Sequence, residues 1–384
     1  MIKDIFFEAD HASDSLARRA SKSLPKAIFD FIEGGAGREL TLARNRAVFD
    51  NAVIKPSLSL PITAVDLRSK LFGTTYAAPI GISPFGIAGL VHPKADAVLA
   101  AAASRKNIPY VLSCAASTHI SVIAESAGRA PWYQLYAPRD DTNVSKLTAL
   151  PRTYGCPVLI LTIDMATSGL RLRDKNNRFT PHFSPAQLLP MLLSRPAWAM
   201  AQLRNRLTPF PNMIEPDLRS NVGNWPRLVE MQTGGNFDWA TIQRFRDAWP
   251  ATLLLKGVLT PEVAIRAQRI GIDGVIISNH GGRQLDSAPA SLDALHDVAN
   301  AMVDSTSLLL DSGVRSGEDV LKAISAGAAL TMVGRPLLYA IAVGGAPLLD
   351  RVLTDLIDET VRAFAIAGRP LVDIHGIGAD IASS

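Results

Sequence analysis

Cysteine is nearly missing from this chain of 384 residues, which has only Cys114 and Cys156. They form no Cys-x-x-Cys pair, so a disulfide framework is excluded and no metal-ligating set is found. Both lie in apolar, strand-like stretches, so buried free thiols and an intracellular, cytoplasmic setting are expected. The opening Met1-Ile2-Lys3-Asp4 lacks the long apolar region of a signal peptide. No run reads as an uninterrupted transmembrane span. No Gly-x-Gly-x-x-Gly follows the first strand candidate, where Ser83-Pro84-Phe85-Gly86-Ile87-Ala88-Gly89 stands instead, and no haem-attachment motif is present. Lysine and arginine are not interleaved with aromatics, and a net charge of +4 is too modest to argue for nucleic acid. Acids are absent between Lys175 and Ile214, where five Lys or Arg occur.

What is present suits a folded chain with a large core: 48% of residues are hydrophobic and 19% charged. Residues 1–77 read as a helical N-terminal cap, with helices over Ser13–Ala20, Pro25–Glu33 and Glu39–Phe49 and glycines at Gly34, Gly35 and Gly37 between them. From Ala78 a strand–turn–helix pattern repeats. Strands are expected at Ile80–Ser83, Tyr110–Ser113, Trp132–Tyr136, Val158–Thr162, Thr252–Lys256, Gly274–Ser278, Leu308–Asp311 and Thr331–Gly334. Helices fit between most of them, among them Ala95–Arg105, Pro261–Ile270, Leu292–Met302 and Ser316–Ala326. Eight such units argue for an α/β fold, a closed (β/α)8 TIM barrel over 78–367; a doubly wound open sheet is the alternative. One domain is expected, with an insertion at 175–232 after the fourth strand.

A barrel carries its chemistry at the C-terminal ends of its strands. Those ends here are polar. Ser278-Asn279-His280-Gly281-Gly282-Arg283-Gln284-Leu285-Asp286 is the densest stretch: a residue that titrates near neutrality, two permissive glycines and a forked cation within four positions. After the seventh and eighth strands come Asp311-Ser312-Gly313-Val314-Arg315 and Val333-Gly334-Arg335. Glycine amides, a helix N-terminus and two arginines make these a phosphate site on physical grounds.

The nine residues from Ser278 to Asp286 resemble the signature of the FMN-dependent 2-hydroxy acid oxidases and dehydrogenases. The resemblance extends from Leu24-Pro25-Lys26 to about Ala367. It implies FMN as cofactor, with its phosphate on Asp311, Gly313, Arg315, Gly334 and Arg335. Ser312 stands where many members have glycine. It implies ring contacts from Pro84, Phe85, Gly86, Ser113, Gln134, Thr162, Lys256 and Ser278. It implies His280 as base, Asp164 as its carboxylate partner, Tyr136 on the reacting hydroxyl, and Arg171 and Arg283 on the substrate carboxylate. A homo-oligomer, a tetramer, is also implied. Phe29 is expected where many members carry a second active-site tyrosine. Ala115 replaces the tryptophan of glycolate oxidase and implies a roomier pocket.

The expected reaction is oxidation of an L-2-hydroxy acid to the 2-oxo acid, with a quinone or another non-NAD acceptor. A soluble oxidase using oxygen, a member acting on a peptide or amine, and a barrel binding FMN without turnover are the rivals. Gly86 favours a dehydrogenase by resemblance, since oxidases of the family often have alanine there. Within 181–212, Leu188-Leu189-Pro190-Met191-Leu192-Leu193 and Trp198 flanked by arginines suit a segment at a membrane surface, or a helix pair over the barrel mouth. The segment also resembles the insertion that attaches mandelate dehydrogenase to membranes, and a peripheral site on the inner face of the cell membrane follows. Because the chemistry sits on strand ends, the segment is expected to be dispensable for it.

Overall fold

A computed structural model describes residues 13–57, 65–136, 143–179, 185–204, 210–212, 238–302, 307–369 and 381–382. Eight parallel strands form one sheet: β1 (Ile80–Ile82), β2 (Val111–Ser113), β3 (Trp132–Tyr136), β4 (Val158–Thr162), β5 (Thr252–Val258), β6 (Gly274–Ile277), β7 (Ser307–Asp311) and β8 (Leu330–Val333). Consecutive strands pair from β2 to β8, and β8 pairs β1 with Thr331 opposite Ile80. A parallel bridge between Ile82 and Tyr110 joins β1 to the start of β2, which makes this the expected barrel and not an open sheet. The strands are continuous apolar runs because both their faces are covered.

Two cores result. Val111, Trp132, Ile160, Leu254, Ile276, Leu309 and Met332 fill the barrel. A hairpin of Ser69–Leu71 and Thr74–Tyr76 joins that inner core through Leu71 and Tyr76, and the Tyr76 hydroxyl accepts a bond from Trp132 Nε1 at 3.2 Å. The larger cluster lies between strands and helices. Helix boundaries fall within three residues of those read from the sequence.

The chain after β8 is helical over the 32 residues Arg335–Ile366, with a break at Gly345. It is the one described helix long and apolar enough to cross a membrane. Gly345 interrupts it at φ 61°, a conformation that suits glycine. Leu337, Leu338, Tyr339, Leu349, Leu353 and Phe364 are buried in the barrel wall, so its apolar composition has a core explanation.

The N-terminal cap is tied to the signature after β6. Asp286 accepts from the amides of Arg38 at 2.7 Å and Leu40 at 2.6 Å. It thereby caps helix Leu40–Asn51, whose own N-cap residue Glu39 makes no side-chain cap. Asn45 and Asn279 exchange amide bonds at 2.8 and 2.7 Å. The helices Pro185–Ser194 and Pro196–Arg204 form the described part of the insertion, with Pro190 inside the first. The rest of 181–212 apart from residues 210–212 lies outside the described residues.

Candidate active site

A polar ring runs around the C-terminal end of the barrel. Ser113 at the end of β2 donates to Gln134 Oε1 at 2.7 Å, and Gln134 Nε2 donates to Thr162 Oγ1 at 2.9 Å. Lys256 on β5 lies 3.0 Å from Asp311 Oδ2 and donates to Ser278 Oγ at 2.8 Å. Ser278 and Ser83 donate to the two oxygens of Asp311 at 2.7 and 2.8 Å. Burial alone would raise the Asp311 carboxyl. The Lys256 ammonium and these hydroxyls outweigh it and hold the group at about 2.

Above the ring lies an open cavity of roughly 1300 Å³. It is lined by Pro84, Phe85, Gly86, Gln134, Tyr136, Thr162, Arg171, Lys256, His280, Arg283, Asp311, Gly313, Arg315, Gly334 and Arg335, all singled out from the sequence. Three of the expected catalytic and cofactor residues do not line it. Ser113 and Ser278, expected as cofactor contacts, stand behind it: Ser113 orients Gln134 and accepts from the Ala115 amide at 3.1 Å, while Ser278 bridges Lys256 and Asp311. Asp164 stands behind His280.

His280 Nδ1 lies 3.0 and 3.1 Å from the two oxygens of Asp164. Burial lowers the basicity of His280, and Asp164 opposes that only in part, so the ring stays neutral near pH 7. Burial raises Asp164, but His280 and Lys256 pull it below its ordinary value, so it stays ionised. An ionised carboxylate assigns the proton to Nδ1 and leaves Nε2 as the free base. Gly257 makes room for this pair: it sits at a register shift in β5 with φ 102°, and a Cβ there would come within 2.7 Å of Asp164. Tyr136 stacks beside His280 with ring centroids 6.3 Å apart.

Two guanidinium groups share the same end of the cavity. Arg171 Nε is buried with no hydrogen-bond partner, and its nearest acid, Asp174, is 3.9 Å away. Arg283 donates to the Gly34 carbonyl at 2.6 Å and rests over the Phe31 ring at 5.1 Å. Burial, then repulsion from Arg171 and Arg335, pushes its pKa well below the ordinary arginine value. A buried donor without an acceptor and clustered cations with one distant acid call for an anion.

The sequence placed Phe29 at this site. The structure corrects that: Phe31 lines the cavity and stacks on Phe179 at 4.4 Å, while Phe29 packs near Tyr339 at 6.4 Å. The ring that helix Lys26–Glu33 brings to the cavity is therefore Phe31, which carries no hydroxyl. Ser312 takes φ 91°, a conformation that suits glycine. Its Oγ accepts the Gly281 amide at 2.9 Å, which offsets part of the strain. Ala115 lines the cavity beside Gly86, as expected.

The insertion reaches the site. Phe210 lines the cavity. Trp198 Nε1 donates to the Leu90 carbonyl at 2.8 Å, and Gln202 Nε2 to the Gly89 carbonyl at 2.9 Å, so the second insertion helix holds a turn (Ala88–Leu90) of the cavity wall. Sequence signals for this were weak, since the insertion has no strand or helix period that points inward.

A model of the FMN-dependent dehydrogenase family matches residues 20–380. The chain belongs to that family. It is 34% identical to an L-lactate dehydrogenase of a Caulobacter species over 92% of this chain and 94% of the relative. It is 35% identical to the (S)-mandelate dehydrogenase of Pseudomonas putida over 94% and 90% of the two chains. The solved structure of (S)-mandelate dehydrogenase, described as a monotopic membrane protein, superposes with a TM-score of 0.90 at 32% identity, covering 97% of this chain and 99% of that one.

This FMN-dependent dehydrogenase has a cavity whose residues fit FMN. At one end, a glycine at φ 99° (Gly313), the amides opening helix Arg335–Ile366 and Arg315 suit a phosphate. A Cβ on Gly313 would come within 2.4 Å of the Asn45 carbonyl, so only glycine holds that loop in place. Arg335 lines the cavity as well, and its Nε and Nη2 donate to the carbonyls of Ile32 at 3.0 Å and Gly281 at 2.9 Å, which ties the cap to the signature. At the other end, Lys256 with the Gln134–Thr162 pair offers donors for a polar ring edge.

Proposed function

We propose that this FMN-dependent dehydrogenase oxidises an L-2-hydroxy acid to the 2-oxo acid, as the names of its relatives suggest. The observation that carries the reading is the unpaired, buried Arg171 Nε beside Arg283, at the same cavity end as a neutral His280. Arg171 and Arg283 bind the substrate carboxylate, Arg283 by a fork that lysine lacks. Tyr136 hydrogen-bonds the reacting hydroxyl. His280 takes the substrate proton on Nε2 while its Nδ1–H stays bonded to Asp164, which stabilises the resulting imidazolium. FMN, when bound, supplies the two-electron acceptor. Lys256 presents positive charge towards it, tempered by Asp311.

Electrons then pass to a quinone at a membrane surface. Leu189, Leu193, Met200 and Leu203 on the two insertion helices are 58%, 76%, 54% and 74% exposed. Four large apolar side chains on one helix pair without an acid form a surface that a bilayer interface would cover. The test is a pair of rates on the substrate-reduced protein, one with a soluble quinone and one with air-saturated buffer. The quinone should react much faster; oxygen winning by a wide margin would make the protein a soluble oxidase instead.

A further inference from the structure

Phe210 stands in a left-handed conformation, φ 39°, which a bulky residue rarely adopts. It is only 5% exposed and lines the cavity. Such an outlier persists where its surroundings over-determine it, and here they do. Asn212, two residues on and 2% exposed, accepts from the Ile120 amide at 2.9 Å and donates to the Thr118 carbonyl at 2.8 Å. Its own carbonyl accepts from the Tyr133 hydroxyl at 3.4 Å. Three bonds thus fasten this piece of the insertion to β3 and to the loop after β2. That loop also carries Ala115, whose Cβ is 3.5 Å from where a Cβ on Gly86 would sit. β3, which carries the Tyr133 end of this anchor, finishes in Tyr136, the residue assigned above to the reacting hydroxyl. Phe210 therefore enters the cavity on the side where the substrate end is, and it shares that cavity with Leu90, Val91, Met165 and Phe31.

We infer that Phe210 is a specificity-determining residue: it forms the outer wall of the pocket for the substrate's side chain, and it selects 2-hydroxy acids whose side chain is large and apolar. Asn212 acts as its positioning residue. The inference rests on the 2-hydroxy acid reading above. A strained aromatic held by a buried amide has its entropy cost met at folding, so its contact with an apolar side chain is available on binding. A small side chain such as a methyl does not reach it and gains nothing.

The experiment compares kcat/KM for lactate, 2-hydroxyisocaproate and 3-phenyllactate in the wild-type holoenzyme and in Phe210→Ala, Phe210→Leu and Asn212→Ala. Phe210→Ala should lose about 10- to 100-fold for the two larger acids through KM, and change lactate by less than about threefold. Phe210→Leu should restore most of that loss. Asn212→Ala should reproduce the same selective pattern in a weaker form. Flavin content and a thermal melt show that each variant is folded. An unchanged ratio of large to small acids in folded, flavin-bound Phe210→Ala, or in Asn212→Ala where Phe210→Ala does not fold, would overturn the inference. If no 2-hydroxy acid bleaches the wild-type flavin, the functional reading fails and not merely this one.

Discussion

Replacing Asp164 by asparagine removes one charge from the dyad and leaves its shape. The carboxylate lies 3.0 Å from His280 Nδ1 in a site where both groups are mostly buried. At an effective dielectric of about 20, opposite charges at that distance attract by roughly 5 kcal/mol. That attraction exists only after His280 has taken the substrate proton, so it acts on the barrier and not on substrate binding. If about half of it is realised in the transition state, Asp164→Asn slows proton removal by a factor of about 10². The asparagine amide can also turn its NH2 towards Nδ1 and favour the wrong tautomer, which slows the step further. The assay is anaerobic stopped-flow bleaching of the flavin at saturating acid. The pH profile supplies a second readout. His280 is held below its ordinary 6.5, so the wild-type rate should rise with pH below 6.5 and be flat above it. Without Asp164 the imidazolium loses its support, so the inflection should move lower still. The same sign governs stability: the contribution from keeping His280 neutral is fully present above 6.5 and is lost as pH falls through the lowered pKa. A variant that bleaches within threefold of wild type, with an unmoved inflection, would refute the dyad.

Arg283→Lys keeps a charge but loses the fork over Phe31 and the bond to Gly34, so KM should rise and kcat fall, by about tenfold or more in kcat/KM. Equal turnover of the best acid and its amide would remove the carboxylate clamp. Leu193→Asp with Leu203→Asp places charge on the exposed insertion face without touching Trp198 or Phe210, and should abolish co-sedimentation with anionic lipid vesicles while flavin reduction stays within twofold. Retained sedimentation would move the membrane contact elsewhere.

The barrel was legible because buried parallel strands are continuous apolar runs ended by turn residues. The site was legible because a polar residue at such an end has no core to join. Other features depend on pairings between distant parts of the chain. Phe29 and Phe31 are two residues apart on helix Lys26–Glu33, roughly 200° around it, and which of them faces the cavity depends on what the helix packs against. Ser83, just past the first barrel strand, meets Asp311 at the end of the seventh, 228 positions apart, and nothing local marks it. Phe210 lies in the long gap after β4, and its conformation comes from Asn212's bonds to Thr118 and Ile120. The sequence left the insertion as either a membrane-surface segment or a helix pair over the barrel mouth. It faces both ways, with Met200 and Leu203 exposed and Trp198 holding the cavity wall.

The central claim is that a 2-hydroxy acid delivers two electrons to FMN in this cavity. Purified protein should be yellow, release FMN on denaturation, and bleach under anaerobic mixing with at least one acid from a panel of L-2-hydroxy acids. The corresponding 2-oxo acid should appear in amounts equal to the flavin bleached. A protein that binds FMN yet keeps its full absorbance with every acid in the panel would contradict the claim.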